Sequence, residues 1–531
     1  MMEIFAEKGV YRPEEAVTLT VCTDTACRAV ITVTSLAEAV GEYAFDCPAG
    51  KSSFTLPPFG CDFGGFGVLC RGGGEEARCA FDVQRQLQAF RYGFLSDFSP
   101  ADGDDADVSA MAKHHINAVQ FYDWSYRHDH LVAPCEEYRD MMGKRNSLPV
   151  IRSKIAACHA HGMKALGYGA VYAAGEEFAA QHPLWRLTTG AGALRFIGVF
   201  SIMNLRSGWA EHIINEYCSA VRLGFDGIHM DTYGFPKTAL DASGHVVHLE
   251  DDFPALIART RSALPDATLV FNNVGAWPVE QTMHAPVDAV YIEVWPPYDR
   301  YHHLKELMLT AKRSGKSVVI AAYPAAFRTA AAEEALNSQL ILSSVFAAHG
   351  ATQLWFGEEN AAVTQGYYAD YSRLTPAQEA ALRQYDDFFV RYEQLFFDDS
   401  LQDVSMTHFG WDNTEYRCSC PASVSGEPGK LWLILREKPG MKLISVLNLC
   451  GESSDLWAEG HNECLPQKAV RLDVQAFDAV KRVFTASPDA AGGDLVRLPA
   501  ALMQGERSPE VHLTLPELTR FAFILIETEE N

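Results

Sequence analysis

The composition indicates a folded, acidic, multidomain protein. The chain has 531 residues, 48% of them hydrophobic and 11% aromatic, enough to form several packed cores rather than a disordered or fibrous structure. A formal net charge of −24 without a dense lysine or arginine cluster argues against nucleic acid or an anionic membrane as a partner. The N-terminus shows no basic stretch followed by an apolar one, and thirteen cysteines lack Cys-x-x-Cys pairs. The sequence therefore predicts a cytoplasmic protein, with a secreted protein whose export signal has been removed as the alternative.

Residues 1–88 are predicted to form a small immunoglobulin-like β-sandwich. Short runs rich in β-branched and aromatic residues alternate there with proline and glycine breakers, a pattern typical of antiparallel strands. The predicted strands include Val17–Val21, Ala29–Val33, Phe66–Leu69 and Ala80–Val83.

Residues 89–401 change to a regular alternation of strands and amphipathic helices. One predicted helix face carries Trp209, Ile213, Tyr217 and Val221 at i, i+4 intervals. Eight strands in alternation with helices predict an α/β fold of the (β/α)8 TIM-barrel type. The predicted strands are Tyr92–Ser96, Ala118–Tyr122, Ala165–Tyr168, Gly227–Met230, Thr268–Phe271, Ala289–Ile292, Ser317–Ala321 and Thr352–Phe356. An open doubly wound sheet is the alternative, and the lack of Gly-x-Gly-x-x-Gly after the first strand disfavours it.

Residues 402–531 contain strand patterns without helices between them. They predict a C-terminal antiparallel β-domain that packs against the barrel, because no low-complexity linker precedes it. The predicted strands include Leu431–Leu435, Leu443–Leu447, Ala469–Val474, Val511–Leu515 and Phe521–Ile526.

Two carboxylates stand where predicted barrel strands end. Asp231 follows the strand Gly227–Met230, and Glu293 follows Ala289–Ile292. Since all strand ends of a parallel barrel open onto one face, residues distant in sequence converge there. A pair of carboxylates is the minimum equipment for cleaving a glycosidic bond.

The other predicted strand ends carry a mixture of aromatic, carboxylate and amide side chains. Aromatic rings stack on sugar faces, and planar amides and carboxylates bond hydroxyls, so the mixture favours a carbohydrate cleft. The residues are Asp97, Tyr122, Asp123, Trp124, Tyr168, Tyr172, Asn272, Asn273, Trp295, Tyr323, Glu358 and Glu359. Each by itself is more often a helix cap or a core residue. Paired histidines at strand ends, a Gly-x-Ser-x-Gly elbow and a phosphate-binding loop are missing from the sequence, which therefore predicts neither a metal nor an organic cofactor.

Several ordered motifs over most of the chain resemble glycoside hydrolase family 66, the dextranases and cycloisomaltooligosaccharide glucanotransferases. The motifs are Phe121–Asp129, His161–Tyr168, Val171–Ala174, Met203-Asn204 with Trp209, Gly224–Gly227 with Asp231-Thr232 and Gly234, Tyr291–Trp295, and Ala321–Tyr323. The resemblance implies a retaining enzyme acting on α-1,6-linked glucan or isomalto-oligosaccharides, with Asp231 as nucleophile and Glu293 as general acid/base. The gaps between predicted strands leave no room for the carbohydrate-binding module inserted in glucanotransferases, which favours hydrolysis.

Alternatives remain open at this stage. They are glucanotransferase activity, a retaining α-glycan barrel with Glu358 as the acid, and a non-catalytic glycan-binding protein of the same fold. Asp123, Trp124, Arg127 and His128 are expected to position substrate, although a buried polar network is an equally good interpretation. The apolar neighbours of Glu293 should raise its pKa, while the hydroxyl or the backbone N–H of Thr232 should hold Asp231 in its ionised form.

Overall fold

The computed structural model describes residues 2–190, 192–366, 370–505 and 507–529. Over these ranges the chain is a mixed α/β, sheet-rich structure whose strands group into three successive parts. No described helix is both long and apolar enough to span a membrane.

The N-terminal part consists of two antiparallel sheets that share one core. The order is β1-β2-β5 in one sheet and β4-β3-β6-β7 in the other. The strands are β1 (Met2–Ala6), β2 (Val17–Thr23), β3 (Cys27–Ser35), β4 (Glu38–Cys47), β5 (Gly50–Leu56), β6 (Phe63–Gly72) and β7 (Glu75–Gln84). Alternate residues such as Leu19, Ile31 and Phe81 point inward from both sheets, as the period-two pattern predicts.

The central part contains a large curled sheet with helices around it. Its strands and small hairpins are β8 (Tyr92–Leu95), β9 (Ala118–Phe121), β10 (Glu137–Arg139), β11 (Arg145–Ser147), β12 (Lys164–Ala170), β13 (Ala173–Gly175), β14 (Arg195–Phe196), β15 (Phe200–Ile202), β16 (Gly227–Asp231), β17 (Thr238–Leu240), β18 (Val246–His248), β19 (Thr268–Val274), β20 (Ala289–Glu293), β21 (Ser317–Ala321), β22 (Thr352–Gln353), β23 (Phe356–Gly357), β24 (Ala361–Gln365) and β25 (Asp370–Arg373). The helices are α1 (Ala106–Lys113), α2 (Leu148–Ala160), α3 (Glu176–Gln181), α4 (Trp209–Leu223), α5 (Leu249–Ala263), α6 (Val279–Thr282), α7 (Tyr301–Lys312), α8 (Ala326–Thr329), α9 (Ala332–Ala348), α10 (Pro376–Arg391) and α11 (Glu393–Phe396).

The large sheet has a barrel-like form. Among the described residues its order is β22-β21-β20-β19-β16-β12-β9-β8-β23-β24-β25. From β22 through β23 all neighbours are parallel, and all eight predicted strand positions are occupied. β22 pairs with β21 while β23, separated from β22 by only Leu354 and Trp355, pairs with β8. The run of parallel strands therefore curls back to its starting strand.

Side-chain alternation separates the inside of this curled sheet from its helix-covered outside. Leu166, Val270, Tyr291 and Val319 share an interior core, while helices cover the opposite faces of the strands. The predicted helix face in α4 is buried at Trp209, Ile213 and Tyr217, because i, i+4 spacing places these residues on one side.

The C-terminal part again consists of two sheets around one core. The order of one is β26-β29-β30-β36-β32-β33, with β28 beside β29, and that of the other is β27-β31-β35-β34. The strands are β26 (Gln402–Asp403), β27 (Tyr416–Cys418), β28 (Ala422–Ser423), β29 (Leu431–Lys438), β30 (Met441–Asn448), β31 (Gln467–Gln475), β32 (Val480–Ala486), β33 (Val496–Arg497), β34 (Ala500–Gln504), β35 (Pro509–Leu518) and β36 (Phe521–Thr528); the short helix α12 is Ser405–His408. Trp432 and Phe523 pack in one cluster with Tyr301 of α7 and Phe346 of α9, so this part is packed against the central part rather than tethered to it.

Candidate active site

The carboxylates of Asp231 and Glu293 meet at one end of the curled sheet. Asp231 is the last residue of β16 and Glu293 the last of β20, and β19 runs between these strands. All three strands are parallel, so their carboxyl ends open on the same side. Asn272, near the end of β19, lies between the two acids.

One side-chain amide binds both carboxylates. Asn272 Nδ2 donates to Asp231 Oδ1 at 2.7 Å and to Glu293 Oε2 at 3.0 Å. Because these oxygens share one nitrogen, they lie at most 5.7 Å apart, the sum of the two distances. Two acids this close flank the same small group of substrate atoms.

Further polar groups orient each acid separately. The Tyr323 hydroxyl donates to Glu293 Oε1 at 3.1 Å, and the Trp295 side chain also hydrogen-bonds Glu293. Asp231 accepts from the Tyr168 hydroxyl and from the Thr232 backbone N–H. Both carboxylates are thus held by donors, which restricts their rotamers before any ligand enters.

The two acids lie in a cavity of about 350 Å³. That volume is in the range of small-molecule sites. Its lining is mostly aromatic, with two amides and the two acids among the polar residues. The lining residues are Phe94, Gln120, Tyr122, Phe196, His229, Asp231, Thr232, Tyr233, Asn272, Val274, Tyr291, Glu293, Trp295, Tyr323 and Gly366.

Burial raises the pKa of both acids, so the expectation of an ionised Asp231 beside a protonated Glu293 needs correction. Burial, and then the charge of Glu293, raise the pKa of Asp231 to about 7. Burial also raises the pKa of Glu293, and the hydrogen bonds from Asn272 and Tyr323 offset only part of this rise. The Thr232 hydroxyl does not hold Asp231, because it donates to the Asn272 carbonyl at 3.1 Å. The pair therefore retains a proton towards neutral pH.

Replacing Asp231 by Asn should make stability less dependent on pH. A folded-state pKa of about 7, above the ordinary 3.8, contributes stability that is fully present below pH 4 and is lost as pH rises through 7. Asp231→Asn lacks this loss. Its free energy of unfolding should therefore exceed that of the parent increasingly between pH 5.5 and 7.5, by on the order of 2 kcal/mol at the upper end. Thermal unfolding of both proteins across this range measures the difference, and a constant difference would contradict the buried-charge account.

Comparison with known proteins identifies the family. The model of Glycosyl hydrolase family 66 matches residues 6–525. The chain belongs to glycosyl hydrolase family 66. The match includes both acids, Asn272 and every strand of the curled sheet.

Named relatives of this family 66 chain cover it in part. A cycloisomaltooligosaccharide glucanotransferase of Niallia circulans is 27% identical over 60% of this chain and 38% of its own length, and a second such protein of that organism is 28% identical over 51% and 32%. The chain therefore spans 32–38% of the length of these curated relatives.

Solved structures show the same fold. A Paenibacillus sp. cycloisomaltooligosaccharide glucanotransferase complexed with cycloisomaltoheptaose superposes with a TM-score of 0.90 at 19% identity, covering 99% of this chain and all of the other. A maltogenic α-amylase of Thermotoga neapolitana reaches a TM-score of 0.53 at 11% identity, over 83% of this chain and 99% of its own. At these identities the likeness concerns the fold alone.

Some of the predicted substrate-binding residues of this family 66 chain lie at the cavity. Tyr122, Trp295 and Tyr323 line it. Tyr168 bonds Asp231, and His128 lies behind Tyr168 with its ring stacked on Phe200 at 4.3 Å. Burial lowers the pKa of His128 to about 3, so its imidazole is neutral.

Four predicted substrate contacts are instead committed to internal hydrogen bonds. Trp124 is fully buried and donates to the Tyr168 carbonyl, and the Tyr172 hydroxyl donates to the Phe235 carbonyl. Asn273 bonds the carbonyls of β19 and β20 and the hydroxyl of Thr282. The Glu358 carboxylate accepts hydrogen bonds from the backbone N–H groups of Ser96 and Asp97. These bonds argue against Glu358 as the alternative catalytic acid. We correct their expected role from substrate contact to support of the site.

Asp123 and Arg127 also lie outside the cavity lining. The Arg127 guanidinium donates to the carbonyls of Tyr126 and Arg139 and stacks over the Tyr126 ring. Asp123 has a left-handed backbone (φ 54°), and burial raises its pKa to about 6. Of the two interpretations of this loop, the geometry favours a network that supports it.

Both Asn272 and Asn273 are predicted from sequence at the end of β19, and the structure places Asn272, not Asn273, at the acids. Strand alternation contains the missing signal: Asn272 has the same parity as the interior residue Val270, whereas Asn273 has that of Phe271, which faces the helices. The same parity rule places Gln120 and His229 on the cavity side of β9 and β16, and sequence reasoning missed both as lining residues.

Proposed function

We propose that this family 66 protein cleaves α-1,6-glucosidic bonds by a retaining mechanism through a covalent glycosyl–enzyme. The observation that carries the proposal is the pair of acids on the Asn272 amide, whose bonded oxygens are at most 5.7 Å apart. Retaining enzymes hold their carboxyl groups roughly 5–5.5 Å apart, whereas inverting enzymes leave roughly 6.5–9.5 Å for a water molecule. This separation supports a double displacement.

In this mechanism Asp231 attacks the anomeric carbon while Glu293 protonates the departing glycosidic oxygen. The bond from the sugar to that oxygen breaks as the bond to the Asp231 oxygen forms. Glu293, now ionised, then takes a proton from the incoming hydroxyl, which displaces Asp231. The pair retains a proton towards neutral pH, and the reaction requires one proton shared between one attacking and one donating group.

We propose a glucan hydroxyl as the principal acceptor in the second step, which makes the protein a glucanotransferase. The matching relatives carry that name, and the Paenibacillus enzyme holds a cyclic isomalto-oligosaccharide. The preference for hydrolysis rested only on the lack of room for an inserted module, and the similarity to named glucanotransferases outweighs it. Water is the competing acceptor and would give a dextranase-like hydrolase. The paired acids favour a glucanotransferase or a hydrolase over a non-catalytic glycan-binding protein.

The proposed catalytic domain is a (β/α)8 TIM barrel over residues 89–401. It lies between an immunoglobulin-like sandwich at 1–88 and an antiparallel β-domain at 402–531. The sheet pairings support this division, because the strands of every sheet fall within one of the three ranges.

Product analysis tests the proposed function. The protein is incubated with dextran and isomaltoheptaose in ¹⁸O-labelled water, with amylose, an α-1,4-linked glucan, as the control. We expect consumption of the α-1,6-glucans only, α-configured products, longer or cyclic products that lack the label, and a minor labelled fraction from hydrolysis. Fully labelled products would make it a hydrolase, β-configured products would rule out retention, and no product from any glucan would leave a binding protein.

A further inference from the structure

One buried amide in the cavity has no hydrogen-bond partner among the residues that the structure describes. Gln120 is 4% exposed and stands on β9, two residues before Tyr122 and on the same strand face. It lines the cavity that contains both acids. Its Oε1 is buried, and within the described chain no group bonds it or the amide nitrogen.

Comparable buried amides elsewhere in the curled sheet are bonded. The Gln353 amide donates to the Ala322 carbonyl at 2.6 Å and accepts from Gln339 at 2.8 Å. Asn273 is likewise bonded at both ends. A buried polar group without a partner is destabilising, and native proteins rarely keep one unless a ligand or water completes it. The free amide therefore indicates a polar ligand.

A second buried acceptor in the cavity also lacks a hydrogen-bond partner among the described residues. Asn272 gives its N–H groups to the acids, and its buried Oδ1 has no partner in the described chain. His229, which also lines the cavity, is bonded through Nδ1 to the Tyr92 hydroxyl at 3.0 Å and is neutral, since burial lowers its pKa to about 3. Away from the two acids, the lining thus presents uncharged hydrogen-bonding groups, which suit a neutral polyhydroxylated ligand.

We propose that the Gln120 carboxamide recognises two adjacent hydroxyl groups of the sugar that the cavity binds. A primary amide presents a donor and an acceptor in one plane, so one hydroxyl donates to Oε1 while its neighbour accepts from Nε2. The assignment rests on the proposed function and deepens it, since it names a residue that determines which sugar the site accepts. Gln120 contacts substrate but takes no part in proton transfer or nucleophilic attack.

Gln120→Met tests this role, because methionine nearly preserves the shape and removes both hydrogen-bonding groups. Gln353→Met is the matched control, since the same change there breaks two internal bonds. Each protein is assayed with isomaltotriose and its monodeoxy analogues, by calorimetric Kd and by kcat/KM. We expect Gln120→Met to keep or raise Tm and to lose about 10- to 100-fold in kcat/KM. Gln353→Met should lower Tm and leave the pattern across analogues unchanged.

The decisive result is coupling between residue and hydroxyl. Two monodeoxy analogues, lacking neighbouring hydroxyls, should each cost the parent part of the factor that the Gln120 substitution costs. Neither should cost Gln120→Met anything substantial further. Equal deoxygenation losses in both proteins would overturn the proposal and assign the amide to bound water. The coupled pattern in Kd without turnover would retain Gln120 as a sugar contact and reject the proposed function. Turnover without coupling would retain the proposed function and reject Gln120 as a sugar contact. A lack of measurable sugar binding would also reject the proposal for Gln120.

Discussion

Asp231→Asn should lower kcat on isomalto-oligosaccharides by about 10⁴-fold or more while the protein stays folded. An amide oxygen is a far weaker nucleophile than a carboxylate, and no described neighbour replaces it. The geometry survives, because the introduced carboxamide keeps an oxygen at the position that accepts from Asn272 Nδ2. Steady-state rates with an aryl α-isomaltoside, together with circular dichroism, measure the two parts of this prediction.

Asp123→Asn is the matched control for this variant. Asp123 is another largely buried acid with a raised pKa, yet it lies outside the cavity lining, and asparagine tolerates its left-handed backbone. We expect it to keep activity within about 10-fold. Full activity in Asp231→Asn, or equal losses in both variants, would remove Asp231 from the mechanism.

Glu293→Gln should show a loss that depends on the leaving group. With a natural glucosidic oxygen, which needs protonation to depart, kcat should fall by roughly 10³- to 10⁴-fold. With a nitrophenyl leaving group the first step needs no acid, so breakdown of the glycosyl–enzyme becomes limiting and a burst of nitrophenol should appear. Added azide, which needs no general base, should then speed turnover and form a glycosyl azide of retained configuration.

Glu358→Gln separates this assignment from the alternative acid. The Glu358 carboxylate is occupied by two backbone N–H groups, so the change should reduce stability without producing any dependence on the leaving group. A uniform loss on both substrate types for Glu293→Gln, or a leaving-group effect for Glu358→Gln, would exchange the two roles.

Local pattern predicted much of this protein. The periods of two and 3.6 residues are properties of neighbouring side chains, so the eight parallel strand positions, the α4 face and the flanking sheets were predicted from the chain itself. The carboxyl ends of parallel strands lie on one side of a sheet, so Asp231 and Glu293 were recognised from sequence as carboxylates at that side. The family 66 motifs agree with the family model, which matches residues 6–525.

The environment of the acids was decided by the tertiary structure. That Asn272 rather than Asn273 joins them depends on which face of β19 turns inward, and the common rise in pKa depends on burial in one cavity. Trp124 and Glu358 are residue types that commonly contact sugars. Their side chains are instead hydrogen-bonded to backbone groups distant in sequence. Residue type and spacing determine which groups reach the end of a strand. Register between strands is a long-range property, and it determines which hydrogen-bond partners and how much burial each group has there.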